Sequence, residues 1–147
     1  MANQVPNTWK GQLWKPFLTD VYKMILMQSG FVFNKDEHHS YADVSSSELA
    51  TGNGYTAGGV TLTGIVRTVD DVGDKCSIAW NNVTINATGG SLTASGAIIY
   101  NDTADGTGIY DYAKIIVSYK DAGGNITAVD GTPIVISAVS ETVEDKV

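Results

Sequence analysis

A chain of 147 residues with 43% hydrophobic and 17% charged content is long and apolar enough to bury a core, which excludes a disordered polypeptide. A formal net charge of −7 and a single arginine, Arg67, leave no basic stripe to displace counterions from phosphates, so no nucleic-acid partner is expected. Sixteen glycines against three prolines suit short strands joined by tight turns.

In chain order, the first residues are polar and read as an arm. Asn7 or Thr8 can cap a short helix on which Trp9 and Leu13, four apart, share a face. Pro16 ends that helix or starts a new turn. Residues 21–28 are a short apolar run bounded by Asp20 and Ser29-Gly30, the signature of a strand, and Phe31-Val32-Phe33 extends it or bulges from it. Ser45 and Glu48 stand at the spacing of a capping box, which predicts one helical turn ending near Ala50. Gly52-Asn53-Gly54 supplies positive φ and stops that turn. Gly58 and Gly59 follow as further turn residues. Val60, Leu62 and Gly64 alternate with threonines as a half-buried strand that continues to Val69, with a bulge at Gly64.

Strands are then predicted at 76–80, 83–87, 96–100, 112–120, 125–129 and 133–138, with Asp121-Ala122-Gly123-Gly124 among the turns between them. The predicted class is mainly β: a single antiparallel β-sandwich or partly closed barrel, jelly-roll or immunoglobulin-like, with one or two short N-terminal helices. Residues 1–18 form the arm and helix, 19–140 the β domain, and 141–147 a mobile tail.

The residues that could carry chemistry do not assemble into a reactive set. Cys76 is alone in a strand and reads as a small buried hydrophobe. His38 and His39 are adjacent in a polar loop, where neighbouring side chains seldom converge on one ion. The loops holding Asp70-Asp71-Asp74 and Asp102-Asp105 lack the spacing of a calcium loop, and aspartates in turns serve Asx hydrogen bonds. Gly52-x-Gly54-x-x-Ala57 precedes a strand and not a helix, so it is no dinucleotide site. No metal, no cofactor and no catalytic residue are expected. The opening residues lack an apolar h-region, so no signal peptide is expected. The apolar run 24–27 is far too short to span a bilayer, so no membrane partner is expected either.

The run YADVSSSELATGNGYT at 41–56 resembles a family of small virion structural proteins of tailed bacteriophages. So do residues 9–18, the strand 24–33 with Asn34-Lys35-Asp36, Trp80-Asn81-Asn82-Val83-Thr84 and residues 96–102. The similarity covers about the first 105 residues and weakens after Gly106. It implies a non-enzymatic protein of the mature particle, made in the bacterial cytoplasm and carried on the virion exterior. Its leading role would be capsid decoration, cementing junctions between subunits of the major capsid protein. Neck, tail or fibre attachment is a second role, and a carbohydrate-binding adhesion module is a third, which an exposed row of aromatics beside Asn or Asp would support. Partners would then be capsid or other virion proteins, or further copies of the chain. Trp9, Trp14 and Phe17 are the candidate anchor, with a helix that caps the core as the competing reading. Gly52, Gly54, Gly58 and Gly59 carry over as fold markers.

Overall fold

The computed structural model describes residues 6–137 and 139–144. The arm at 1–5, Ala138 and the last three residues of the expected tail lie outside the described residues. Among the described residues the chain is mainly β, every strand pairing is antiparallel, and there are two short α-helices. It divides into two compact units, each built from separated stretches of sequence. One comprises residues 20–62 and 83–136; the other comprises 1–19, 63–82 and 137–147. The units thus cut across the expected order of arm, domain and tail.

The larger unit is organised by β1 (Tyr22–Met27), whose Met24, Ile25, Leu26 and Met27 are all buried. A strand apolar on both faces belongs inside a sheet. It pairs along its whole length with β6 (Leu92–Asn101), from Tyr22↔Asn101 to Met27↔Gly96. β2 (Val60–Thr61) and β7 (Ile116–Ala128) complete the order β2-β1-β6-β7. Ile25, Met27, Val44, Ile98 and Tyr100 form the core on one side of this sheet. A separate ladder joins β5 (Val83–Asn86) to β8 (Pro133–Ile136); Val83 and Ile85 are buried while Thr84 and Asn86 are exposed, the period of a half-buried strand.

The smaller unit is a sheet of β3 (Val66–Asp70), β4 (Lys75–Ala79) and β9 (Ser140–Glu144) in the order β3-β4-β9. Helix α1 (Asn7–Trp14) packs on β3 and β4. Gly11 permits the close approach: a Cβ there would stand 2.7 Å from Arg67 Nη1 and 2.9 Å from Val69 Cγ2. The Arg67 guanidinium donates to the Gly11 carbonyl at 2.8 Å, and the Lys10 ammonium donates to the Asp74 carbonyl at 2.7 Å. No helix among the described residues is long and apolar enough to cross a membrane.

Several expected elements differ. Pro6, and not Asn7 or Thr8, precedes the first helical residue, and its carbonyl accepts from the Trp9 and Lys10 N–H groups. Pro16 does start a new turn, as expected: α1 ends at Trp14 and the 3-10 turn Lys15–Phe17 follows. Phe31-Val32-Phe33 is irregular, because Gly30 at φ +82° turns the chain off the sheet. The strand expected from 60 to 69 is two strands in two units, broken at Gly64, whose φ of +69° is incompatible with extended backbone. The strands expected at 112–120 and 125–129 are one, β7, and residues 121–124 are no hairpin turn. Ala94 pairs with Ile126 and Gly96 with Asp121, so residues 122–125 bulge out opposite Ser95 alone. Of the expected tail at 141–147, residues 141–144 belong to β9, which starts at Ser140 and is in register with β4 from Lys75↔Glu144 to Ala79↔Ser140.

Candidate functional site

The segment 40–59 is held by a buried carboxylate. Its helix, α2 (Tyr41–Val44), begins at Ser40, where the Asp43 carboxylate accepts from the Ser40 N–H at 2.9 Å and the His39 N–H at 3.1 Å. Those bonds, the Ser40 N–H first, hold the Asp43 carboxyl below its ordinary range. The capping box therefore lies five residues before the expected one. Ser45–Ser47 is a 3-10 turn that leads into Glu48.

Glu48 is 5% exposed. Its backbone runs beside β1 where β2 has ended: Leu49 N–H donates to the Leu26 carbonyl at 2.8 Å, and Glu48 bridges to Met27. Its carboxylate takes three donors: Tyr41 Oη at 2.6 Å on Oε2, and Tyr55 Oη and the Gly58 N–H, both at 2.7 Å, on Oε1. Such charge-assisted bonds satisfy a buried carboxylate that would otherwise be costly. Tyr55 also accepts from the Leu26 N–H at 3.1 Å, a strand amide that needs a partner. The hydrogen bond to Glu48 pushes Tyr41 up to about 12, and burial, then the same carboxylate, raises Tyr55. Tyr100 closes the ring, stacking on Tyr41 at 4.9 Å between centroids and donating to the Gly58 carbonyl at 2.8 Å.

The glycines expected as turn residues all have positive φ. Gly52 and Tyr55 exchange both backbone hydrogen bonds at 2.9 Å around Asn53-Gly54, whose φ values are +52° and +90°. This is a two-residue hairpin of the type that asparagine and glycine favour. A Cβ on Gly54 would collide with the Asn86 carbonyl, and one on Gly59 with the Met24 carbonyl.

The other candidates are spread apart. His38 Nδ1 accepts from the Asn34 N–H at 3.1 Å, and its ring contacts both Phe31 and Phe33. His39 instead stacks on Tyr112 at 5.0 Å. Asp70 and Asp105 accept from the backbone N–H groups of their own turns, and Asp102 meets Lys23 at 3.1 Å and Lys114 at 3.4 Å. Cys76 is buried on β4. Among the described residues no three His, Cys, Asp or Glu converge as metal ligands.

The three anchor candidates separate, Trp9 and Trp14 on α1 and Phe17 in the 3-10 turn that follows. Trp9 is 59% exposed, while Trp14 and Phe17 are half-buried. The buried Trp14 indole N–H has no acceptor among the described residues. Leu13, on the Trp9 face, is 47% exposed, and Lys10 between them is buried. Trp9 and Leu13 are thus the apolar pair that α1 presents outward. Comparison with protein-family models, curated proteins and solved structures gives no match.

Proposed function

We propose that this chain is a non-enzymatic structural protein of a tailed-bacteriophage virion, and that it decorates the mature head by binding across junctions of capsid subunits. The observation that carries the reading is the resemblance centred on residues 41–56. The chemistry of that run supports a structural role. Its Tyr41, Glu48 and Tyr55 spend their polar atoms on one another and on Leu26 and Gly58. A carboxylate already holding three donors from its own chain is a clamp on the segment.

Binding then falls to exposed apolar surface, and Trp9 with Leu13 on α1 is the anchor we assign. Each copy buries a modest patch, and the shell's symmetry multiplies it by avidity. Preferential binding to the expanded shell stabilises that shell by linkage. The test is cosedimentation of purified protein with expanded heads that lack it. Trp9→Ala with Leu13→Ala is expected to weaken binding roughly 100-fold, the loss of about 3 kcal/mol of anchor contact. The melting temperature should stay within about 3 °C of wild type, because both side chains are already exposed. Deleting the whole helix is the poorer experiment, since it also removes Lys10 and Gly11 from the smaller unit's sheet. Association with necks or tails in place of heads would transfer the role to those parts of the particle.

A further inference from the structure

The larger unit carries a groove of about 620 Å³ that the clamp does not use. One wall is the irregular stretch 29–33 and the other is β7 with its bulge at 122–125. Phe31, Phe33 and Tyr119 line it, together with Ser29, Asp121 and Asn125. We propose that this groove binds a neutral saccharide.

The aromatic side is preorganised. Phe33 stacks on Tyr119 at 5.3 Å with 21° between planes, and Phe31 meets Tyr119 edge-on at 5.7 Å. His38 stacks on the far partner, Phe31, at 5.6 Å. Gly96 on β6 makes room for Tyr119: a Cβ there would stand 2.8 Å from Tyr119 Cε2 and 2.6 Å from the Lys120 carbonyl. Rings locked in this way lose little entropy when a ligand covers them.

The polar side is equally fixed. Asn125 Nδ2 donates to Ser29 Oγ at 2.7 Å, tying the two walls together. Asp121 Oδ1 accepts from the Gly123 N–H at 2.8 Å, which orients the carboxylate. A primary amide has two donors and an acceptor, and a carboxylate has about four acceptor sites, so both keep capacity beyond these bonds.

This pairing selects the ligand class. A pyranose has an apolar C–H face for a ring and a rim of hydroxyls for amide and carboxylate groups. A purely apolar ligand would desolvate Asp121 and Asn125 without replacing their hydrogen bonds. An anionic ligand would meet the Asp121 carboxylate in a groove that, among the described residues, no basic side chain lines, on a chain of net charge −7. The volume lies within the range usual for small-ligand clefts. Sugar binding at this groove is independent of any station in a virion, since capsid binding is assigned to α1.

Saturation-transfer NMR and calorimetry on the full chain, with maltotriose, cellotriose, chitotriose, mannotriose and 3′-sialyllactose as probes, test it. At least one neutral trisaccharide is expected to bind saturably with a Kd of about 1 mM or tighter. Its contacts should map to Phe31, Phe33 and Tyr119. Asp121→Ala and Asn125→Ala, both at exposed positions, should each weaken it roughly tenfold while the protein keeps its melting temperature. Binding by none of the neutral probes up to about 10 mM, binding by 3′-sialyllactose alone, or binding indifferent to both substitutions would each overturn the proposal.

Discussion

Glu48 shows how one side chain can fix a segment. Glu48→Ala strands two tyrosine hydroxyls and the Gly58 N–H. The expected loss is about 3 kcal/mol or more in urea denaturation, and a loss under about 1 kcal/mol would contradict the clamp. The clamp also sets an alkaline limit. Tyr41 is held up at about 12, so its phenol is neutral in the fold at pH values where the unfolded side chain, with a pKa near 10, has ionised. A raised folded pKa stabilises fully below about pH 10 and is lost as pH rises from there through about 12. Melting temperature should therefore hold to about pH 9 and fall between about pH 10 and 12, and Tyr41→Phe should flatten part of that fall. A wild-type curve still flat at about pH 12 would contradict it. At Gly54, φ is +90° and a Cβ meets the Asn86 carbonyl, whereas Gly89 has φ +77° and open space around it. Gly54→Val is expected to cost about 2 kcal/mol or more and Gly89→Val about 1 kcal/mol, read from thermal melts; equal losses would show that the collision with Asn86 does not matter. The Gly52-Asn53-Gly54 turn was legible because the φ requirement is local. The role of Glu48 was not, because Ser45-x-x-Glu48 mimics a cap and its real partners are set by packing on β1.

The strands that could be read were those whose burial follows their own pattern. Residues 24–27 are apolar throughout and lie inside a sheet, and Val83 and Ile85 alternate with polar residues on a half-buried strand. β9 was missed because Ser140-Glu141-Thr142-Val143 is polar and charged, and only its pairing with β4 makes it a strand. The bulge in β7 was misread because Gly123-Gly124 is as good a signal for a turn as for an excursion. The pairing carries a prediction. β4 is the middle strand of its sheet, so removing residues 140–147 takes away one of its two ladders. Hydrogen exchange at β4 should then speed up about tenfold or more. Unchanged protection would mean that β9 adds nothing to the sheet.

For the whole molecule, charge and exposed surface point the same way. A net charge of −7 favours solubility at high copy number and disfavours contact with DNA. On the proposed reading, the exposed Trp9 and Leu13 of α1 would give a neutral point of attachment that salt does not weaken. Phe31, Phe33 and Tyr119 beside the groove are partly buried against the core and form no exposed row, and only the folded chain brings them, Asp121 and Asn125 to one place. The most direct measurement is cosedimentation of the wild-type protein with expanded heads that lack it, with separated necks and tails and naked DNA run alongside at physiological salt. Saturable binding to heads, with none to DNA, is the expected result. Protein left in the supernatant with heads, necks and tails alike would contradict a role in the particle.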